Sequence, residues 1–330
     1  MNTHDPVAAI IVPTHDHAAT LDLAVRSALE QTVAEVEVIV VGDGVGDDTR
    51  EVMAGLSDAD PRVRFLDLPK GPHHGEVHRG TAVGSTAAEI VCYLCDDDLL
   101  LPDHVESMIG LLRDADFAHS QNGHLDPDGD WHHYFADLES PQCRAWIMEP
   151  GQNVISLTGT AHTVAAYRRL PHGWRTTPPG HWADHYMWQQ FLAEPWVRAV
   201  TADRVTALQF PSHMEGREDW APERRRAELE QWLDAIKGGA GRARLEAGVG
   251  CSVKKQATNE WLRRADVERV LEAVEAARAS EVGRLSDQLA ARVEQLASIE
   301  STRTWRLRSR IRRIAPLRAL ARVTAGRRSP

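Results

Sequence analysis

Over the first 115 residues, short aliphatic and β-branched runs alternate with stretches whose apolar positions recur every three or four residues. Ala8–Val12 reads as a first strand. Leu21, Val25, Ala28 and Leu29 then share one face of a helix from about Ala18 to Gln31, with Asp16 as its N-cap. Val36–Val41 is a second strand, apolar except for Glu37, and Val52 and Leu56 mark the helix after Asp47 and Asp48. Val63–Leu66 is a third strand; the glycine-rich Gly71–Gly75 leads into a third helix ending near Ala88, and Ile90–Leu94 is a fourth strand running into Asp96, Asp97 and Asp98. This alternation predicts an α/β fold with a mostly parallel sheet flanked by helices. In the doubly wound order 3-2-1-4 the first and fourth strands are neighbours at the switch point, so Pro13 and Thr14 share a crevice with Asp96 and Asp97.

Downstream the period changes. Phe117–Leu138 reads as a hairpin around the turn Asp126-Pro-Asp-Gly-Asp130, followed by a strand near Thr160–Tyr167, a Pro/Gly-rich loop over Pro171–Gly180 and a helix over Ala183–Ala193. After Pro222 the composition is helical, with a glycine break at Gly238–Gly241. Val282, Leu285, Leu289, Leu296 and Ile299 fit heptad core spacing, although Arg292 takes one core position and the register upstream does not match; a short coiled coil and a homodimer through it are expected. The chain therefore divides into two halves of one α/β domain, 1–115 and 116–216, a helical region over 217–300 and a tail over 301–330.

A chain of 330 residues buries a sizeable core without disulfides, and its four scattered cysteines, Cys92, Cys95, Cys143 and Cys251, suit a reducing compartment. No apolar run is long enough to span a bilayer, and Val7–Val12 is too short for a secretory signal, so a cytoplasmic protein is expected. The net charge of −10 is uneven, because residues 301–330 hold ten arginines and no acidic residue. The acidic body argues against nucleic acid as a partner. Arginine interleaved with Leu307, Ile311, Ile314, Leu317 and Leu320 fits peripheral contact with an anionic membrane, and equally fits a solvated end.

Three adjacent carboxylates at the end of a buried strand repel one another unless cations, hydrogen bonds or solvent compensate. A divalent cation, Mn²⁺ or Mg²⁺, takes oxygen ligands of this kind together with substrate phosphates. A solvated turn capping the helix that starts near Pro102 is the simpler reading, and the residues alone leave both open.

Ile10-Ile-Val-Pro-Thr-His-Asp16, Ser27-Ala-Leu-Glu-Gln-Thr32, Val38-Ile-Val-Val-Gly-Asp-Gly44 with Asp47-Asp-Thr49, and Cys95-Asp-Asp-Asp-Leu-Leu-Leu-Pro102 resemble, in order, the motifs of family 2 glycosyltransferases. The resemblance covers roughly residues 7–215 and implies a GT-A fold, with a Rossmann-like sheet and here a C-terminal helical or coiled-coil extension. It also implies inverting transfer of a sugar from a nucleotide diphosphate donor, UDP-sugar foremost, to a glycan or glycolipid acceptor. Carried over by position, Thr14 and Asp43 hold the nucleotide base, Pro13 belongs to the same nucleotide-binding turn, Arg79 lies beside the nucleotide, Asp96 contacts the ribose and Asp97 holds the metal. Gly180-His-Trp-Ala-Asp184 resembles the motif of the catalytic base, placing Asp184 in that role; because aromatic faces stack on sugar rings, Trp182 beside it is the candidate for acceptor binding; His213, in Phe210-Pro-Ser-His213, resembles a late histidine at the metal or diphosphate. Gly42, Cys95 and Ala183 stand where the family usually carries acidic residues, which motivates an alternative: a non-catalytic scaffold of the same fold. A sugar-phosphate nucleotidyltransferase fits less well, since Pro13-Thr-His-Asp16 lacks glycine.

Overall fold

The computed structural model describes residues 5–127, 131–132, 136–211, 216–217, 219–237, 240–304 and 306–310. Its first half runs β1 (Ala8–Thr14), α1 (Ala18–Leu29), β2 (Val36–Asp43), α2 (Asp47–Ala59), β3 (Val63–Leu68), α3 (Val77–Ser85), β4 (Ile90–Tyr93). Then follow β5 (Leu99–Leu100), α4 (His104–Leu112), β6 (Phe117–Leu125), β7 (Trp131–His132), α5 (Pro141–Ile147), β8 (Thr160–Thr163), α6 (Val164–Arg169), α7 (Ala183–Leu192), β9 (Ala199–Gln209), α8 (Pro222–Lys237) and α9 (Ala240–Ser301).

The sheet order is β3-β2-β1-β4-β8-β6-β9-β5, with β7 paired to β6. The first four strands are parallel and in the expected 3-2-1-4 order. β4 pairs antiparallel with β8, and β8 with β6, so the second half makes the sheet mixed. β1 is a continuous apolar run because helices cover both faces of a parallel sheet. Ile10 packs with α1 on one side and Ile11 with Tyr93 and the α3 side on the other, all fully buried.

Several local expectations are corrected. His17, not Asp16, occupies the N-cap position of α1, and no side chain caps that helix; the His17 ring is turned instead toward Asp96. The strand expected over Thr160–Tyr167 stops at Thr163, whose hydroxyl accepts from the Ala166 N–H and starts a helix. The hairpin forms, with Leu125 opposite Trp131. The 11-residue β9 is absent from the sequence reading, because Asp203 and Arg204 interrupt its alternation. Leu229, Trp232 and Leu233 of α8 join Leu23, Leu99 and Phe210 in one buried cluster, and the chain divides into compact units only between Gln256 and Ala257.

Two buried histidines set an acid limit on the fold. Burial pushes His104 down to about 4 and His119 down to about 3, and neither ring nitrogen of His119 has a partner among the described residues. The unfolded chain takes up these protons near pH 6.5 and the folded chain does not, so stability present above 6.5 is lost as pH falls below it. His119→Leu is expected to lose about 2 kcal/mol less than the parent between pH 7.5 and 5 in urea titrations.

Candidate active site

β1 and β2 deliver the first part of the site at their C-terminal ends, where Thr14 pairs with Gly42. Thr14 is buried and its hydroxyl lacks a partner among the described residues, so it is available to a ligand. The Asp43 carboxylate is already engaged: Oδ1 accepts from the Gly71 N–H at 2.6 Å, Oδ2 from the Lys70 ammonium, and His78 stands 3.6 Å away. Burial works to raise this carboxyl, but the Gly71 N–H and Lys70 outweigh it and hold it below the usual range. Gly75 adopts φ +61° with its Cα against that carboxylate, and a Cβ there would overlap it. The glycine-rich loop is thus closed onto Asp43. Gly42 is equally constrained, since a Cβ would lie 2.9 Å from the Phe65 ring, which takes the space an aspartate would need.

The three aspartates after β4, identical in sequence, have three environments. Asp96 accepts from His17 Nδ1 at 2.9 Å. Asp97 accepts from Arg225 of α8 at 2.6 Å, with both side chains 12% exposed. Asp98 points inward, accepting from the Thr158 hydroxyl at 2.5 Å and the Phe210 N–H at 2.9 Å. Burial, followed by repulsion from Asp97, raises the Asp98 carboxyl, and through Thr158 and Phe210 it ties the end of β4 to the end of β9. Burial, followed by Asp96, raises Asp97, while His17 and Arg225 oppose the shift. The hydrogen bond to Asp96, reinforced by the charges of both carboxylates, raises His17 to about 9 against the effect of burial.

Arg79 comes from α3, is buried, stacks its guanidinium 4.8 Å from the Trp174 ring centre, and leaves Nε unpartnered among the described residues. Asp184 sits in the first turn of α7 and accepts from the His185 N–H at 2.7 Å. Burial raises its carboxyl above the ordinary range, opposed by the His185 N–H and by Arg79. Trp182, just before α7, is 57% exposed, as suits a stacking platform, whereas Trp174 and Trp188 are core.

A cavity of about 440 Å³ unites the sequence candidates Pro13, Thr14, Asp43, Arg79, Asp96 and Asp97. Asp184 and Trp182 are not in its lining; Asp184 connects to it through the field of Arg79. His213 lies outside the described residues.

Residues 9–169 match the family described as Glycosyl transferase family 2. That segment belongs to the family. Residues 8–209 form a mixed α/β sheet with flanking helices, as the sequence predicts. Over 133 residues the chain is 35% identical to the chondroitin synthase and to the hyaluronan synthase of Pasteurella multocida, covering 38% of this chain and 13% of each synthase. Over 117 residues it is 28% identical to the GalNAc(5)-diNAcBac-PP-undecaprenol beta-1,3-glucosyltransferase of Campylobacter jejuni, covering 34% of this chain and 37% of that enzyme. The match thus spans well under half the length of each relative. Among solved structures, S. aureus TarS 1–349 in complex with UDP-GlcNAc is 14% identical over 69% of this chain and 70% of its own, with a TM-score of 0.48.

The donor set beside the cavity fits a divalent cation: atoms of His17, Asp96 and Asp97 all lie within 4.8 Å of one another. His17 and Arg225 escaped the sequence reading. His17 adjoins the Pro-Thr turn and carried a positional signal; Arg225 carried none. Both now compensate the carboxylates, so a metal must compete with a proton on His17 and with the Arg225 guanidinium. Arg225→Ala is expected to melt lower than the parent, because it strands a buried carboxylate. Millimolar Mn²⁺ should then raise the melting temperature of the variant more than that of the parent in thermal-shift assays. An equal shift in both would separate Arg225 from the metal site.

Proposed function

We propose that this chain is an inverting glycosyltransferase that moves a sugar from a nucleotide diphosphate donor, with a UDP-sugar favoured, to an acceptor hydroxyl in cell-envelope polysaccharide or glycolipid synthesis. The observation that carries the reading is the cavity in which the Pro13–Thr14 turn, Arg79 and the Asp96–Asp97 pair meet. Thr14 and the Asp43 loop hold the nucleotide, Asp96 the ribose, and Asp97 with His17 a Mn²⁺ or Mg²⁺ ion, which His213 joins by the family resemblance. Bound there, such an ion offsets charge on the departing diphosphate. The Arg79 guanidinium adds fixed positive charge from a desolvated position, where it acts most strongly.

The Asp184 carboxylate takes the proton of the acceptor hydroxyl as that oxygen bonds to the anomeric carbon. The bond from the anomeric carbon to the diphosphate breaks on the opposite face, its electron pair leaves with the nucleotide, and the configuration inverts. Trp182 is exposed beside this base as a face for an acceptor ring. The names of the relatives, two polysaccharide synthases and a glucosyltransferase with a lipid-linked acceptor, support the acceptor class. Among the described residues no helix is long and apolar enough to cross a membrane; the arginine-rich tail is proposed to hold the enzyme on the inner membrane face.

The test is incubation of the purified chain and Mn²⁺ with a panel of nucleotide sugars and envelope acceptors, read by mass spectrometry. Transfer from one donor is the expected result; no binding or turnover of any donor overturns the enzyme reading. The Asp97–Arg225 pair, together with Gly42, favours the scaffold of the same fold as a second reading, and calorimetry with UDP and Mn²⁺ separates the two.

A further inference from the structure

Residues 262–301 of α9 present an apolar stripe that no other described residue covers. Leu271, Val282 and Val293 stand 11 residues apart, and Val274, Leu285 and Leu296 repeat that spacing three positions on. Val267 and Leu289 complete the rows, with Arg278 between them. These apolar side chains are 50–67% exposed. The heptad pattern expected from the sequence covers only the C-terminal part, whereas the 11-residue period spans 267–296 with Arg278 as its one polar position. A period of about 3.67 residues per turn keeps a stripe on one side of a helix and favours slight right-handed winding. At about 30 residues it exceeds the three to four heptads that a stable coil requires.

We propose that this stripe docks against a second copy of the chain, antiparallel, about a two-fold axis between Gly283 and Arg284. That register brings Leu271 against Leu296, Val274 against Val293, and Val282 against Leu285. Glu275 meets Arg292, and the stem of Arg278 lies along Leu289 with its charged head at the rim. The parallel, in-register alternative stacks Arg278 on Arg278, a like-charge contact. An anionic membrane does not fit this face: residues 262–301 carry eight acidic and six basic side chains, and the intrahelical pairs Arg284–Glu281 and Arg269–Asp266 neutralise cations locally.

Light scattering on the full chain at tens of micromolar is expected to give twice its 36.6 kDa, and Leu285→Asp/Leu289→Asp to give a monomer. Orientation is read from disulfides located by peptide mass spectrometry, which sets aside the native cysteines. An equimolar mixture of Leu271→Cys and Leu296→Cys should link 271 to 296. Leu271→Cys alone should not link to itself, because the two copies of that residue stand about 37 Å apart in this register. A monomer, or self-linked Leu271→Cys, overturns the proposal; neither outcome touches the transferase reading.

Discussion

Asp97→Asn is expected to lower Mn²⁺-dependent UDP affinity about 100-fold and to abolish transfer, while the protein melts within a few degrees of the parent. The asparagine keeps the size of Asp97 and an oxygen to accept from Arg225, so the contact at 2.6 Å survives in neutral form. What it loses is the charge that a metal needs. It also removes the repulsion that Asp97 exerts on buried Asp98, so the substitution does not tax the fold as Asp97→Ala would, which strands Arg225. Calorimetry with UDP, with and without Mn²⁺, decides the matter: the parent should gain affinity from the metal and the variant should not. An equal gain in both removes Asp97 from the metal site.

This expectation shows what was legible in the chain and what was not. β1, β2 and β4 are legible because strands covered on both faces are continuous apolar runs, and their parallel order places Thr14 beside Asp96. The roles within Asp96-Asp97-Asp98 were not legible, because adjacent strand-end residues point in different directions and only the partners distinguish them. Asp98 is spoken for by Thr158 and Phe210, residues 60 and 112 positions away. Arg225 sits in Arg224-Arg225-Arg226, which as sequence is the polar face of a solvated helix. Burial of Leu229, Trp232 and Leu233, with the Arg226–Asp22 ion pair at 2.6 Å, seats α8 on α1 and carries Arg225 to Asp97. Asp43 shows the opposite relation: it lines the cavity as expected from its place after β2, but its carboxylate is engaged by the glycine loop, so its proposed part in base recognition would work through the shape of that loop.

Asp184→Asn is expected to slow transfer by about 10²–10⁴-fold and leave the dissociation constant for UDP with Mn²⁺ unchanged. The isosteric amide still accepts from the His185 N–H, so the first turn of α7 stays in place while the proton acceptor is gone. The pH profile distinguishes this from a positional defect. Burial raises the Asp184 carboxyl, and only its ionised form takes a proton, so kcat/KM of the parent should fall as pH drops through a value above the ordinary aspartate range. The limb lies on the acid side because protonation removes the base, and Arg79, which favours the ionised form, limits how high it sits. Arg79→Lys should leave this limb in place and weaken donor binding, since a lysine ammonium cannot reproduce the planar stack on Trp174. Activity that keeps the parental limb in Asp184→Asn would assign the proton to another group and return Asp184 to an ordinary place in the first turn of its helix.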